Sequence, residues 1–144
     1  MDDFGLFLYN NWLLFLALVV ILALLMRATI GTGSGGVGPQ DATQMLNHDN
    51  AVVLDVREPS EIANGTIRGA LTIPLGELGD RLKELEKYKS KPIIVACRSG
   101  QRSSRACGIL RKNEFTRVYN LSGGIMAWQN ANLPLGKPKG GKKG

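Results

Sequence analysis

The chain has 144 residues, a length that is enough for one domain of ordinary size with an appendage, and its formal net charge is +6. Two cysteines and one histidine are too few for a disulfide scaffold or a histidine-rich metal site. We therefore expect neither a bound metal nor a cofactor.

The N-terminal 30 residues predict a short tail followed by one transmembrane helix. Residues 12–26 are an unbroken apolar run, and counting from Leu6 to Met26 gives 21 residues, about 31 Å as a helix. That length matches the hydrocarbon core of a bilayer, so we expect residues 6–26 to contact lipid. Asn10 and Asn11 weaken the first turns, which makes a start nearer Trp12 and an end toward Ile30 the alternative.

The charges around this segment predict its orientation. Residues 1–26 contain two aspartates and no lysine or arginine, whereas all 18 basic residues follow. The positive-inside bias therefore places the N-terminus outside and the rest of the chain in the cytoplasm. A cleaved signal peptide needs a basic start that this chain lacks. A helix buried in a soluble core is the other alternative, but no other part of the chain is available to cover it.

After this segment the pattern predicts a glycine-rich linker over residues 31–38, a compact domain over 39–135 and a basic, disordered tail over 136–144. Within the domain, strand and helix patterns alternate, which predicts an α/β fold with a central, mainly parallel sheet flanked by helices. The predicted strands are 51–56, 71–73, 92–96 and 117–121, and the predicted helices are 41–47, 60–63, 77–88, 103–112 and 124–128.

The segment Cys97-Arg-Ser-Gly-Gln-Arg-Ser103 lies between a predicted buried strand and a predicted helix. In such a loop the backbone N–H groups converge and the helix dipole adds positive charge, which favours a bound anion. A cysteine at this position is expected to ionise readily. The loops after the other strands, which contain Asp55 and Gly123, lie at the same edge of a parallel sheet and predict one shared crevice.

Three motifs in this order resemble the rhodanese family. The first is Asp55-x-Arg57-Glu58 with Glu61 and Gly65-x-Ile67-x-Gly69-Ala70, the second is the Cys97 loop, and the third is Leu121-Ser-Gly-Gly-Ile-x-x-Trp128. The resemblance covers essentially the whole compact domain, and the preceding helix and linker make the chain similar to the single-domain rhodaneses of the bacterial inner membrane. Thr66 departs from the family, which often has histidine there.

The resemblance implies a sulfurtransferase with Cys97 as its nucleophile. Cys97 would take a sulfane sulfur from thiosulfate or another donor, become a persulfide, and pass the sulfur to a thiol of a small molecule or a protein. Low thiol pKa and a stabilised anion are the physical requirements. The active-site loop would bind the substrate through Arg98, Ser99, Gly100, Gln101, Arg102 and Ser103.

The other polar residues of these motifs have two interpretations each. Asp55 and Arg57, with Glu58, are expected to support the site as an ion pair or hydrogen-bonding set, with catalysis as the alternative. Arg102 either contacts substrate or holds a loop carbonyl or Glu58. Cys107 is expected to be a packed apolar thiol.

Two other functions remain open from the sequence. One is a membrane-anchored interaction module, with a membrane protein as its partner, because a fold does not fix a function. The other is a cysteine-dependent phosphatase or arsenate reductase, but such phosphatases have a Cys-x5-Arg loop and residue 103 is serine. The four lysines of residues 136–144 either solubilise the chain or contact anionic lipid. They have no interleaved aromatic residues, so we expect no nucleic-acid partner.

Overall fold

The computed structural model describes residues 2–31 and 35–139. The chain forms two compact units, Met1–Gly33 and Ser34–Gly144. Part of the predicted linker, residues 32–34, and the end of the predicted tail, residues 140–144, lie outside the described residues.

The first unit consists of helix α1, Asp2–Asn10, and helix α2, Trp12–Gly31. The axis bends by 65° between them. At the break, the Asn11 side chain donates a hydrogen bond to the Phe7 carbonyl over 2.8 Å. Such side-chain bonds compete with regular helix geometry.

The prediction of one uninterrupted transmembrane helix over residues 6–26 is therefore not supported. Among the described residues, no single helix meets the combined length and hydropathy expected of a membrane span, and only the bent pair does so together. The large apolar side chains between Leu13 and Leu24 are exposed in this unit.

The second unit is built on a five-stranded sheet in which every pair of neighbouring strands is parallel. The spatial order is β1-β5-β4-β2-β3. The strands are β1 Gly35–Val37, β2 Val52–Asp55, β3 Leu71–Thr72, β4 Ile93–Ala96 and β5 Val118–Leu121. The predicted parallel α/β sheet is thereby confirmed.

Strand β1 corrects the predicted linker. Residues 35–37 pair in register with Tyr119, Asn120 and Leu121 of β5, and the Ser122 N–H donates to the Val37 carbonyl over 2.9 Å. Backbone hydrogen bonding needs no side chain, so the two glycines of β1 can form an edge strand although their composition is typical of a linker.

Four helices surround the sheet. They are α3 Pro39–His48, α4 Pro59–Ile62, α5 Gln101–Lys112 and α6 Gly124–Asn130. The amphipathic α-helix predicted over 77–88 is wrong, because two 3₁₀ helices, Leu75–Asp80 and Leu82–Tyr88, occupy this stretch. Gly76 and Gly79 lower the helix propensity of the first half. Leu78 and Leu85 are nevertheless buried, so this segment still contributes to the core.

The core has two halves, one on each face of the sheet. In β4, Ile93 and Val95 belong to one apolar cluster, and Ile94 and Ala96 belong to the other. Alternate residues of a strand point to opposite faces, and a parallel sheet covered on both faces buries all of them. Cys107 lies in the first cluster, as expected for a packed thiol.

The start of the predicted tail is also part of the fold. Gly136 forms an antiparallel bridge with Thr66, with N–H···O=C distances of 2.7 and 3.0 Å in the two directions. The Trp128 indole N–H donates to the Pro134 carbonyl over 3.1 Å. The ordered domain therefore continues past residue 135, because the returning chain satisfies backbone groups of the 65–66 loop.

Candidate active site

Cys97 follows β4 at the carboxyl edge of the sheet, and it is 1% exposed. Its sulfur accepts a hydrogen bond from the Gly100 N–H over 3.0 Å and lies 3.3 Å from the Ser103 hydroxyl oxygen. Gly100 has φ +103°, a conformation that L side chains rarely adopt. The loop thus turns back on itself and directs the Gly100 amide at the sulfur.

This environment favours the thiolate of Cys97. Burial opposes ionisation, but hydrogen bonds that the thiolate accepts from the Ser103 hydroxyl and from the backbone N–H groups of Ser103, Gly100 and Ser99 outweigh it, so the pKa of Cys97 lies below its ordinary value. Burial instead raises the pKa of Cys107 to about 11, although the positive charge of Arg111 partly offsets this. Of the two thiols, only Cys97 is placed to act as a nucleophile near neutral pH.

A residue that the sequence motifs did not single out, Asn120, connects the middle of the loop to its C-terminal end. Its Oδ1 accepts a hydrogen bond from the Ser103 hydroxyl over 2.5 Å, and its Nδ2 donates to the Gly100 carbonyl over 3.1 Å. Asn120 belongs to β5, and the only sequence signal for it is an amide side chain within an otherwise mostly apolar strand.

The N-terminus of α6 holds the other side of the loop. The Ile125 N–H donates to the Cys97 carbonyl over 2.8 Å, and the Met126 N–H donates to the Arg98 carbonyl over 3.1 Å. A Cβ at Gly124 would lie 2.3 Å from the Cys97 carbonyl oxygen. The second glycine of the Gly123-Gly124 pair is therefore required for this close approach.

Asp55 and Arg57 form a buried ion pair beside the crevice. The Arg57 Nη2 lies 2.8 Å from the Asp55 Oδ2, and the two residues are 6% and 0% exposed, respectively. Arg57 also donates to the Gly65 carbonyl over 2.7 Å, and the Thr66 hydroxyl donates to Asp55 over 2.7 Å. Asp55 and Arg57 thus form both an ion pair and a hydrogen-bonded set with the 65–66 loop, and the Thr66 hydroxyl is one of the donors in that set.

Arg102 is held by Glu61, and not by Glu58 or a loop carbonyl as two of its predicted alternatives had it. Both guanidinium Nη atoms donate to the Glu61 carboxylate at 2.8 Å. This side-chain hydrogen bond is the main cause that lowers the pKa of Glu61 to about 2. The Glu58 backbone N–H donates to the Glu61 carboxylate over 2.8 Å, and the Glu58 side chain accepts from the Glu61 backbone in a capping box. The motifs included Glu61, but its role became visible only with the contact to α5.

Two concave surfaces flank the loop. A cavity of about 460 Å³ lies on one side, where its walls include Arg57, Glu61, Arg98, Met126 and Gln129. A more open groove lies on the other side, and its walls include Ser99, Gln101, Arg105, Asn120 and Ser122. Each surface contains an arginine, which suits an anionic substrate. Among the described residues, no group of three or more His, Cys, Asp or Glu side chains is arranged to hold a metal ion.

Comparison with known proteins matches the second unit of the chain to one family of domains. The family model of the rhodanese-like domain matches residues 38–131. A sulfurtransferase of Allochromatium vinosum is 37% identical over 97 residues, which are 67% of this chain and 89% of that protein. The uncharacterized protein YibN of Escherichia coli K12 is 35% identical over 100 residues, which are 69% of this chain and 70% of that protein.

Solved structures match the same part of the chain. The crystal structure of a rhodanese-related protein from Thermoplasma volcanium has a TM-score of 0.65 and 30% sequence identity, and the match covers 72% of this chain and 98% of that one.

Proposed function

Because this chain belongs to the rhodanese-like domain family, in which relatives are named sulfurtransferases, we propose that Cys97 carries a sulfane sulfur as a persulfide. The donor is thiosulfate or a chemically similar sulfane-sulfur anion, and the acceptor is a thiol. One observation carries the proposal: the buried Cys97 sulfur accepts a hydrogen bond from the Gly100 N–H and lies beside the Ser103 hydroxyl.

The first step is attack of the Cys97 thiolate on the outer sulfur of thiosulfate. A new S–S bond forms to Cys97, the S–S bond of thiosulfate breaks, and its electron pair leaves with sulfite. The total charge is −3 on both sides, so no oxidant or reductant is needed. Because the thiolate is the reactive form, the lowered pKa of Cys97 raises the reactive fraction at neutral pH.

The persulfide is stabilised by preorganised positive charge. The loop N–H groups and the N-terminus of α5, which begins at Gln101, point partial positive charge toward the sulfur. Arg98 lines the neighbouring cavity and attracts the dianionic donor. Arg102 contributes less directly, since Glu61 already neutralises it.

The same arrangement disfavours phosphate chemistry. A Cys-x5-Arg loop needs an arginine to hold the phosphoryl oxygens, but residue 103 is a serine whose hydroxyl faces the Cys97 sulfur. The preceding arginine, Arg102, is turned to Glu61. The loop therefore suits a single sulfur atom better than a tetrahedral phosphate.

In the second step, an acceptor thiolate attacks the outer sulfur of the persulfide. The S–S bond to Cys97 breaks, the electron pair returns to Cys97, and the acceptor leaves as a persulfide. The cavity beside Arg98 provides the approach, and Met126, which is 49% exposed, forms an apolar part of its wall. Both small thiols and a cysteine on a protein surface fit such an open approach.

The test is persulfide loading of the full-length protein in detergent. We expect intact mass spectrometry after incubation with thiosulfate to show one added sulfur, and a thiol acceptor to remove it. C97S should gain no sulfur, whereas the matched control C107S should gain it as wild type does. If wild type gains none, or if C97S gains it equally, the sulfurtransferase proposal is wrong. Hydrolysis of an aryl phosphate that depends on Cys97 would point to a phosphatase instead.

We further propose that the protein is anchored in the bacterial inner membrane by a single pass, with its N-terminus outside and the rhodanese-like domain in the cytoplasm. Two observations support this. The large apolar side chains between Leu13 and Leu24 are exposed, and a bilayer is the solvent that suits them. The 18 basic residues all follow this apolar run. A membrane protein then becomes a candidate acceptor.

A further inference from the structure

Two of the groups that contact the Cys97 sulfur are held by the same side chain. The Gly100 N–H and the Ser103 hydroxyl reach the sulfur at 3.0 and 3.3 Å. Asn120 binds the carbonyl of Gly100 through Nδ2 and the hydroxyl of Ser103 through Oδ1. The carboxamide thus bridges the two groups from the strand behind them.

The direction of these hydrogen bonds follows from donor counting. The Gly100 carbonyl only accepts, so the amide nitrogen of Asn120 faces it and the amide oxygen faces Ser103. An amide oxygen also only accepts, so the Ser103 hydroxyl must give it its one hydrogen. In that arrangement Ser103 has no hydrogen left for Cys97, and it can only accept one from the neutral thiol.

We propose that Asn120 is a positioning residue that competes with the Cys97 sulfur for the single Ser103 hydrogen. This proposal rests on Cys97 being the reactive thiol of the proposed function. When Cys97 is a neutral thiol, its S–H donates to Ser103, which donates to Asn120. When Cys97 is a thiolate, the Ser103 hydrogen turns to the sulfur and leaves the Asn120 oxygen.

The same competition applies to the persulfide. The negative charge of a persulfide lies mainly on its outer sulfur, so the inner Cys97 sulfur becomes a weak acceptor and the Ser103 hydrogen returns to Asn120. Asn120 therefore stabilises the two states in which the inner sulfur is uncharged, relative to the free thiolate. It favours loading of the persulfide over persistence of an unprotected thiolate.

Other charged groups around the loop stay in place in the test. Arg102 of α5 is paired with Glu61 of α4, Arg98 lines the cavity, and Arg105 lines the groove with Asn120. Cys107 is the remaining thiol. A neutral substitution at Asn120 alters none of these charges, so its effect on Cys97 comes from the two hydrogen bonds of Asn120.

The test is a double-mutant cycle of N120L and S103A on the full-length protein, with the pH profile of Cys97 alkylation by iodoacetamide as the readout. N120L removes two hydrogen bonds, one from the Ser103 hydroxyl and one to the Gly100 carbonyl. Only the loss of the first depends on the presence of Ser103, so the cycle separates the two effects. We compare the change in the apparent pKa of Cys97 that N120L causes in two proteins, one with Ser103 and one with S103A. We expect the change with Ser103 to lie further toward a lower pKa than the change with S103A. The difference should be about 0.5 to 1 pKa unit, the size of one hydrogen bond.

Equal effects of N120L in the two backgrounds, or a relative rise in the Ser103 background, would overturn the proposal. Alkylation does not require sulfur transfer, so failure here is distinct from failure of the persulfide-loading test. Cys107 reports on folding, because its buried thiol should stay unmodified in a folded variant. If N120L makes Cys107 reactive, N120A takes the place of N120L in the same cycle. The proposal then requires the same result, a lower pKa of Cys97 with Ser103 relative to the effect with S103A.

Discussion

At the scale of single residues, Gly124 sets the distance between α6 and the loop that carries Cys97. Its φ is +61°, and a Cβ there would lie 2.6 Å from the Arg98 carbonyl carbon as well as close to the Cys97 carbonyl oxygen. Both obstacles are backbone, which cannot rotate away as a side chain could. The two N–H groups that follow Gly124 fix the loop carbonyls, so a shift of α6 would move Cys97 relative to Gly100.

We expect G124A to lower the rate of persulfide loading at least about tenfold and to destabilise the domain by about 2 kcal/mol or more, through strain at positive φ and the backbone overlap. Loading is measured by intact mass and stability by urea unfolding. The matched control is G108A in α5, where a Cβ meets nothing within 4 Å. G108A should load normally and be about 0.5–1 kcal/mol more stable, because alanine suits a helix interior. Normal loading by G124A would contradict this account.

The residues of the candidate site differ in how far the sequence could predict them. Cys97 and its loop follow from local patterns, because a loop between a buried strand and a helix has few geometries. The pairing of Asp55 with Arg57 is one of two interpretations of a family motif, and the local pattern does not decide between them. The partners Glu61 and Asn120 come from α4 and β5, and they lie 41 and 17 positions from the residues of α5 that they bind. Their roles depend on how the elements pack and on the rotamers chosen, which no local pattern contains.

At the scale of elements, the Glu61–Arg102 pair joins α4 to α5. Residues 41 positions apart in sequence are linked by two hydrogen bonds in a bidentate arrangement. The same carboxylate accepts the Glu58 N–H at the start of α4. This pair therefore fixes one wall of the cavity to the helix that follows the Cys97 loop.

Neutralising this carboxylate should give a pH-dependent loss of stability. The pKa of Glu61 is about 2 in the folded protein and 4.5 ordinarily, so its contribution is full above pH 4.5 and disappears as the pH falls to 2. We expect E61Q to be less stable than wild type by about 0.5–1 kcal/mol at pH 7, with the difference vanishing at pH 2, because the pair is partly exposed. Urea unfolding is followed by tryptophan fluorescence in a W12F background, which leaves only Trp128.

The control for E61Q is E84Q, which removes a more exposed carboxylate that pairs with Arg81, three residues away in sequence. E84Q should change stability by less than about 0.5 kcal/mol. Equal stability of E61Q and wild type at pH 7, or a difference that persists at pH 2, would show that the pair does not hold α4 to α5.

The helices and strands also differ in how well the sequence patterns predicted them. Continuous apolar runs predicted the central strands β2 and β4 well, since a parallel sheet buries both of its faces. Strand β1 was missed because its stability comes from the backbone pairing of Gly35 and Gly36 with β5, and the side chains give no sign of it. The segment 75–88 kept its predicted buried leucines but not its predicted helix type, since burial and helix geometry are separate constraints.

At the scale of the whole molecule, cell fractionation can test whether the protein is anchored in a membrane. We expect the full-length protein to remain in the membrane pellet after an alkaline carbonate wash. L18D/L22D should release it, because two charges in the apolar run are costly in a bilayer. The matched control L18A/L22A should stay in the pellet.

Orientation needs a second measurement. A fluorescent reporter that matures only in the cytoplasm should be active when fused to the C-terminus, and a periplasm-dependent phosphatase reporter should be inactive there. Release of wild type by carbonate would contradict the anchor, and an active phosphatase fusion would contradict the proposed orientation.

The strand order has a consequence for how copies of this protein meet one another. The sheet ends in β1, with three residues, and β3, with two. Short edge strands are poor templates for pairing between chains, so the sheet resists edge-to-edge aggregation even when many copies crowd together. Any shortened version that begins after Val37 would remove β1 and uncover the longer β5. A fragment that is to keep this resistance to aggregation should therefore begin before Gly35.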